Sequence, residues 1–208
     1  MSIIPKLATS LNRRDEVPNQ ELAKEIVDKK DKKAVQEVVD NLSNKSKDIQ
    51  FDCIKVLYEI GELDPALIAY YTKDILALLE SKNNRMQWGA MHAINAITLE
   101  NPKVIYRSLG KILSAADKGS VITKDHAFNI LVKLGSLKHY TEDVFPLLME
   151  QIMSSPPNQF PTYAEKAAPL VNDRDKASFL HMLTSRLKTI EQESKRKRVE
   201  KVIRKLSK

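Results

Sequence analysis

The sequence predicts an all-α chain of about four helical hairpins with capping helices, and three features that keep one interval carry the prediction. The first is an apolar stripe at i, i+3, i+4 and i+7, spacings that fall on one face of a helix. Ala90, Ala93, Ile94 and Ile97 form it. Cys53, Val56, Leu57 and Ile60 repeat it 37 residues earlier, and Ala127, Ile130, Leu131 and Leu134 repeat it 37 residues later. Ala164, Ala167, Ala168 and Val171 follow after another 37, and the first position is always small. The second feature is a shorter stripe ahead of each long one: Val38 and Leu42, Ile75 and Leu79, Ile112 and Ala116, Met149 and Met153. Two helices in a period of this length mark stacked helical pairs. The third is punctuation. Asp64-Pro65 and Asn101-Pro102 keep the interval and pair a capping side chain with proline at the first helical position, where a missing N–H costs nothing. Gly61 and Gly135, two periods apart, follow the long stripe, where a left-handed residue would end the helix. Four unrelated amphipathic helices would have no reason to hold all three in register.

On these residues the sequence resembles the HEAT-repeat family, whose units are antiparallel helix pairs of about this length. The family's second helix reads branched residue, Arg, two variable residues, Ala, then the apolar stripe. Ile49-Gln50 before Cys53, Met86-Gln87 before Ala90, Thr123-Lys124 before Ala127 and Pro161 before Ala164 follow that spacing without the Arg. The resemblance covers residues 31–171 and implies a right-handed α-α superhelix, a HEAT-like solenoid whose second helices line a concave side. A repeat array has one continuous core, so the chain reads as a single domain, 1–208. Within it, 1–30 are a lead-in and cap, 31–171 four repeats, 172–193 a capping helix and 194–208 a basic C-terminal segment.

In chain order, residues 1–17 lack periodicity and carry Arg13-Arg14-Asp15-Glu16, which predicts an irregular lead-in. Pro18-Asn19 starts a helix whose Leu22, Ile26 and Val27 cover the first repeat. The run Lys29-Lys30-Asp31-Lys32-Lys33 mixes both signs at a helix junction, as a solvated surface does. Turns fall at Asn44-Lys45, Lys82-Asn83-Asn84 and Lys118-Gly119-Ser120. The fourth hairpin differs: Pro146 lies inside its first helix, Ser154-Ser155-Pro156-Pro157 stiffens the loop and Pro169 interrupts the second helix, which predicts a kinked or shortened pair. Asn172-Asp173 caps a closing helix with Phe179, Leu180, Leu183, Leu187 and Ile190 at helical spacing. Beyond Ile190 the stripe thins, and Lys195, Arg196, Lys197 and Arg198 lead into Val199, Val202, Ile203 and Leu206. That end resembles a nuclear import signal, and it also fits a solvated cap or a contact for anionic phosphates.

Composition narrows the function classes. The net charge of +7 is uneven: residues 1–45 contribute +1, residues 46–172 contribute −1 and residues 173–208 contribute +7. A nucleic-acid reading therefore rests on the C-terminal segment. One cysteine excludes an internal disulfide, and Cys53 stands where other repeats place alanine, as a buried small residue in a reducing compartment. No apolar run reaches membrane-spanning length and no secretory signal opens the chain, so the expectation is a cytoplasmic protein, or a nuclear one in a eukaryote, with no membrane partner. His92, His126, His139 and His181 sit in no metal-ligand spacing, no glycine-rich phosphate loop occurs, and the serines lack a nucleophile-elbow context. Glu142-Asp143 and Asp173-Asp175 lie at helix starts, where they satisfy free backbone donors. No cofactor, metal site or catalytic residue is expected.

What remains is a surface. At 100° per residue, Trp88, His92, Asn95 and Leu99 fall opposite the core stripe. Phe51, Lys55, Tyr58 and Glu62 share that face one period earlier, and Asp125, Asn129, Val132 and Ser136 one period later. The resemblance puts this face on the concave side. The expected function is a non-catalytic interaction or scaffold module binding a peptide or helix of another protein through Phe51, Lys55, Tyr58, Trp88, His92, Asn95 and Asn129. The alternative is a nucleic-acid-binding protein, either through the basic segment or in the manner of the HEAT-like alkylpurine DNA glycosylases, whose cationic face holds damaged DNA. None of that family's catalytic residues has a counterpart here.

Overall fold

The computed structural model describes residues 2–208. They hold thirteen α-helices and four short 3-10 turns, with no strand among the described residues. The chain forms two compact units, one through Ile130 and one from Leu131 to Lys208.

The first unit opens with an arm containing a 3-10 turn, Ile4–Lys6, followed by α1 (Val17–Lys29) and α2 (Lys32–Asp40). Next come α3 (Lys47–Leu63), α4 (Ala66–Ala69), α5 (Thr72–Ala77), α6 (Asn84–Ile97), α7 (Pro102–Arg107), α8 (Leu109–Lys118) and the start of α9 (Val121–Gly135). The long stripes lie on α3, α6 and α9. All twelve stripe residues are at most 1% exposed, so the helical spacing located the core residue by residue. Small residues at the head of each stripe let backbones approach without a cavity.

The first helices depart from a simple hairpin. In the second and third repeats they are broken into a short segment and a longer one, α4 with α5 and α7 with α8, so each of these periods holds three α-helices. The breaks, at Tyr70-Tyr71 and at Ser108, are again one period apart.

The arm is irregular apart from its 3-10 turn, as its lack of periodicity predicts, but it is firmly packed. Ile3, Leu7 and Ala8 are buried, and two hydrogen bonds to Asn19 and Asp52, side chains joined to each other by a third, hold the arm from inside. The Ala8 N–H donates to Asn19 Oδ1 at 3.0 Å, Thr9 N–H to Asp52 Oδ2 at 2.8 Å, and Asn19 Nδ2 to Asp52 Oδ1 at 2.8 Å. Asn19 and Asp52 are 1% and 7% exposed, so burial strengthens each bond and penalises its loss.

The punctuation also has different causes from those expected. No glycine has positive φ, and Gly61 lies within α3. A Cβ there would stand 2.8 Å from Ile68 Cδ1 and 3.0 Å from the Ala96 Cβ, so the glycine permits the close approach of α4 and α6 to α3. Gly135 is the last residue of α9, where a Cβ would meet Leu170 Cδ1 at 3.0 Å. Asn101 does not cap α7. Its Nδ2 donates to the Ala69 carbonyl at 2.7 Å and to Thr72 Oγ1 at 2.9 Å, stapling one repeat to the one before.

The second unit contains α10 (Thr141–Ser154), α11 (Phe160–Ala167), α12 (Asp173–Leu187) and α13 (Glu193–Leu206). Pro146 lies inside α10, which nevertheless runs unbroken for 14 residues, and α11 is shortened to eight before a 3-10 turn containing Pro169. The phase of α10 differs by one residue from that of the earlier first helices: Leu148 and Ile152 are buried, whereas Met149 is half-buried and Met153 is 52% exposed. The Asn172 side chain caps α12 by accepting from the Asp175 N–H.

The thinning stripe after Ile190 pointed to a terminal segment outside the core, and this is corrected. Val199 is fully buried and Val202 is 7% exposed, with α13 packed on α11 and α12. Val199 and Val202, at i and i+3 with the half-buried Ile203 and Leu206 beside them, form a narrow apolar stripe that seats an otherwise charged helix.

Candidate functional site

The face opposite the core stripe on α3, α6 and α9 carries a run of stacked rings within the first unit. Trp88 stands beside Tyr58 with centroids 5.6 Å apart and planes tilted by 49°. Tyr58 stacks on His92 at 4.4 Å and 16°, and His92 stacks on His126 at 4.2 Å and 25°. The run crosses three second helices. His126 was not singled out from the sequence: a straight ladder one period apart pairs His92 with Asn129, one turn further on. Counting 34 rather than 37 residues would have found it.

Around the rings lies a set of charged anchors. Lys55 Nζ sits 4.9 Å from the Tyr58 ring centre and forms ion pairs with Glu16 and Glu59, both at 2.7 Å. Burial alone would depress the Lys55 ammonium, but Glu16, Glu59 and Tyr58 oppose that and hold it above the usual lysine range. Burial likewise raises the Tyr58 hydroxyl, an effect that Lys55 offsets in part. His92 Nε2 and Glu62 Oε1 lie 2.7 Å apart, and Asn95 Nδ2 lies 3.2 Å from His126 Nδ1. The Arg85 guanidinium covers the Phe51 ring at 5.0 Å and reaches Glu16 at 3.6 Å.

Burial divides the seven residues singled out from the sequence. Lys55 is 6% exposed, Tyr58 4% and Asn95 7%, so these three support the face from beneath. Phe51, Trp88, His92 and Asn129 are half-buried and offer atoms to solvent. Phe51 and Arg85 also line a cleft with Thr9, Arg14, Asp15 and Asp48, which extends the face toward the arm. Cys53, on the core side of α3, is fully buried, with its thiol pushed up to about 12, chiefly by burial. Such a thiol carries no thiolate at neutral pH and is a packing residue.

The basic residues at the other end of the chain form part of a helix. Lys195 Nζ bonds Asn158 Oδ1 at 2.5 Å, the Arg196 guanidinium donates to the Ile190 carbonyl at 3.0 Å and Lys197 pairs with Glu193 at 2.7 Å. Arg198 bonds Glu165 twice and Thr162 once, and it holds the Glu165 carboxyl below the usual carboxylate range. Among the described residues no helix is long and apolar enough to cross a membrane, and no three His, Cys, Asp or Glu side chains are placed to share a metal ion.

No protein-family model and no curated protein matches the chain. Solved structures do. An engineered protein from a structural genomics programme superimposes with a TM-score of 0.64 at 16% identity, over 100% of this chain and 97% of that one. A designed armadillo repeat protein superimposes with a TM-score of 0.64 at 13% identity, over 97% of this chain and 99% of that one. The fold is thus a HEAT/armadillo-like helical repeat, and the three helical pieces per period in the second and third repeats suit the armadillo form.

Proposed function

We propose that the second-helix face of the first unit binds a helix or an extended peptide of another protein, and that the chain is an interaction or scaffold module without catalysis of its own. The observation that carries this reading is the run of contacting rings, Trp88, Tyr58, His92 and His126, crossing three repeats, in which Tyr58 is buried and the other three are half-buried. Rings locked by their neighbours lose little entropy on binding, and Trp and Tyr combine large apolar area with a polar edge. Stacked repeats favour long, shallow partners, because each repeat adds one more set of contacts along the same face. Phe51, Trp88, His92 and Asn129 would make the contacts, while Lys55, Tyr58 and Asn95 would hold them in place.

The test is selection of a displayed peptide library on the full chain, followed by titration of the winners against variants. Trp88→Ala should weaken binding by about 30-fold or more, the equivalent of about 2 kcal/mol at an interface anchor. Tyr70→Ala, at a residue 87% exposed on the first-helix side, should leave it unchanged. Peptides that bind both variants like the parent would refute the site.

A further inference from the structure

The helix α13 has a second face of opposite character to its buried valines. At about 100° per residue, Lys197, Lys201, Arg204 and Lys205 fall within an arc of about 100°, and Val199, Val202, Ile203 and Leu206 occupy the other side. Lys197 is paired within its own helix, with Glu193. Lys201, Arg204 and Lys205 are exposed and have no hydrogen-bond or ion-pair partner among the described residues. The other cations of α13 are engaged: Lys195 with Asn158, Arg196 with the Ile190 carbonyl, Arg198 with Glu165 and Thr162. The carboxylates nearby are Glu193 and Glu200 on the helix and Glu165 on α11, whose acidity responds to Arg198 first and to Lys201 as well.

We propose that this arc docks the phosphate backbone of duplex nucleic acid without reading its sequence. Charge complementarity is the first ground, since the four cations lie along about 12 Å of one rigid helix and duplex DNA carries a charge about every 1.7 Å of axis. The second ground is what the helix lacks. On its apolar side Val199 and Val202 are buried and Ile203 and Leu206 half-buried, with the helix packed on α11 and α12, so it lacks the wide free apolar face that a membrane-surface helix must bury in a lipid interface. It contains no aromatic residue on which unpaired bases could stack, which sets it apart from single-strand platforms. The arc holds no Asn or Gln to read adenine edges, and Arg204 is its one guanidinium able to fork onto a guanine, so phosphate contacts by lysine point charges supply most of its binding.

The experiment is fluorescence anisotropy of a labelled duplex of about twenty base pairs with the full chain, from about 50 to 200 mM salt, the range over which phosphate contacts lose strength steeply. The parent should bind at the low end, with affinity falling as salt rises. The triple variant Lys201→Gln, Arg204→Gln, Lys205→Gln should bind at least 10-fold more weakly and lower the log-log salt slope by about 0.9 per contact removed. Lys201→Arg with Lys205→Arg should bind like the parent. Lys45→Gln, Lys47→Gln, Lys103→Gln carries the same change of charge in the first unit and should also bind like the parent. Four results would each overturn the proposal: no duplex binding by the parent at about 50 mM salt, parent-like binding by the α13 triple variant, an equal loss in the first-unit control, or stronger binding to phosphatidylserine vesicles than to duplex.

Discussion

The rings of Tyr58 and His92 lie face to face, 4.4 Å apart, although the two residues do not occupy equivalent positions in their repeats. The equivalent of Tyr58 is Asn95, and the equivalent of His92 is Asn129. Each stacking step runs one helical turn short of the period, so the rings cross the second helices on a diagonal. Because Tyr58 is 4% exposed and touches Trp88, His92 and Lys55, Tyr58→Ala should cost about 3 to 5 kcal/mol in urea unfolding. Trp88→Ala removes a half-buried ring and should cost less than Tyr58→Ala.

Two glycines in helices should respond with opposite signs. At Gly61 a Cβ would press on Ile68 and Ala96, so Gly61→Ala should destabilise by about 1 kcal/mol or more even after the gain in helix propensity. Nothing lies within 4 Å of a Cβ at Gly110, and Gly110→Ala should stabilise by about 0.5 to 1 kcal/mol. Thermal melts of the two variants measure both.

Removing the Asp52 carboxylate leaves Asn19 Nδ2 and the Thr9 N–H buried without acceptors. Asp52→Ala should therefore cost about 2 to 3 kcal/mol. It should also release the arm, which trypsin would report by faster cleavage after Arg13 and Arg14.

The burial of Val199 makes α13 part of the second unit's core. Val199→Ala should cost about 2 kcal/mol, and deletion of residues 194–208 should lower the melting temperature rather than leave it unchanged. Arg198 holds Glu165 below its ordinary value of 4.5, so the help this pair gives to docking α13 is complete above that pH. It fades as acid takes the carboxyl through its lowered value, and in Glu165→Gln the acid side of the stability profile should be flatter.

The Cys53 thiol, raised from 9.0 to about 12, should not react with iodoacetamide at pH 8 in the native chain and should react once urea unfolds it. A group whose folded value is raised contributes stability that is whole below its unfolded value. Stability should fall as pH rises from about 9 toward 12, and Cys53→Ala should reduce that fall.

Periodicity by itself determined the all-helical class, the 37-residue register and the twelve stripe residues of α3, α6 and α9, because a helix that must bury one face writes that face into its sequence. It also placed Phe51, Tyr58, Trp88 and His92 on one face, since 100° per residue is a local property. Only the tertiary structure decided what neighbours do to these residues. The one-turn diagonal that brings His126 onto His92, the burial of Lys55 between Glu16 and Glu59, and the locking of the arm by Asn19 and Asp52 depend on how separate helices slide past one another. The one-residue phase change in α10, the use of Gly61 for close approach and the seating of α13 by two valines have the same origin. Spacing along one helix carries no record of the offset between two, and that offset is set by which side chains interlock when the helices meet.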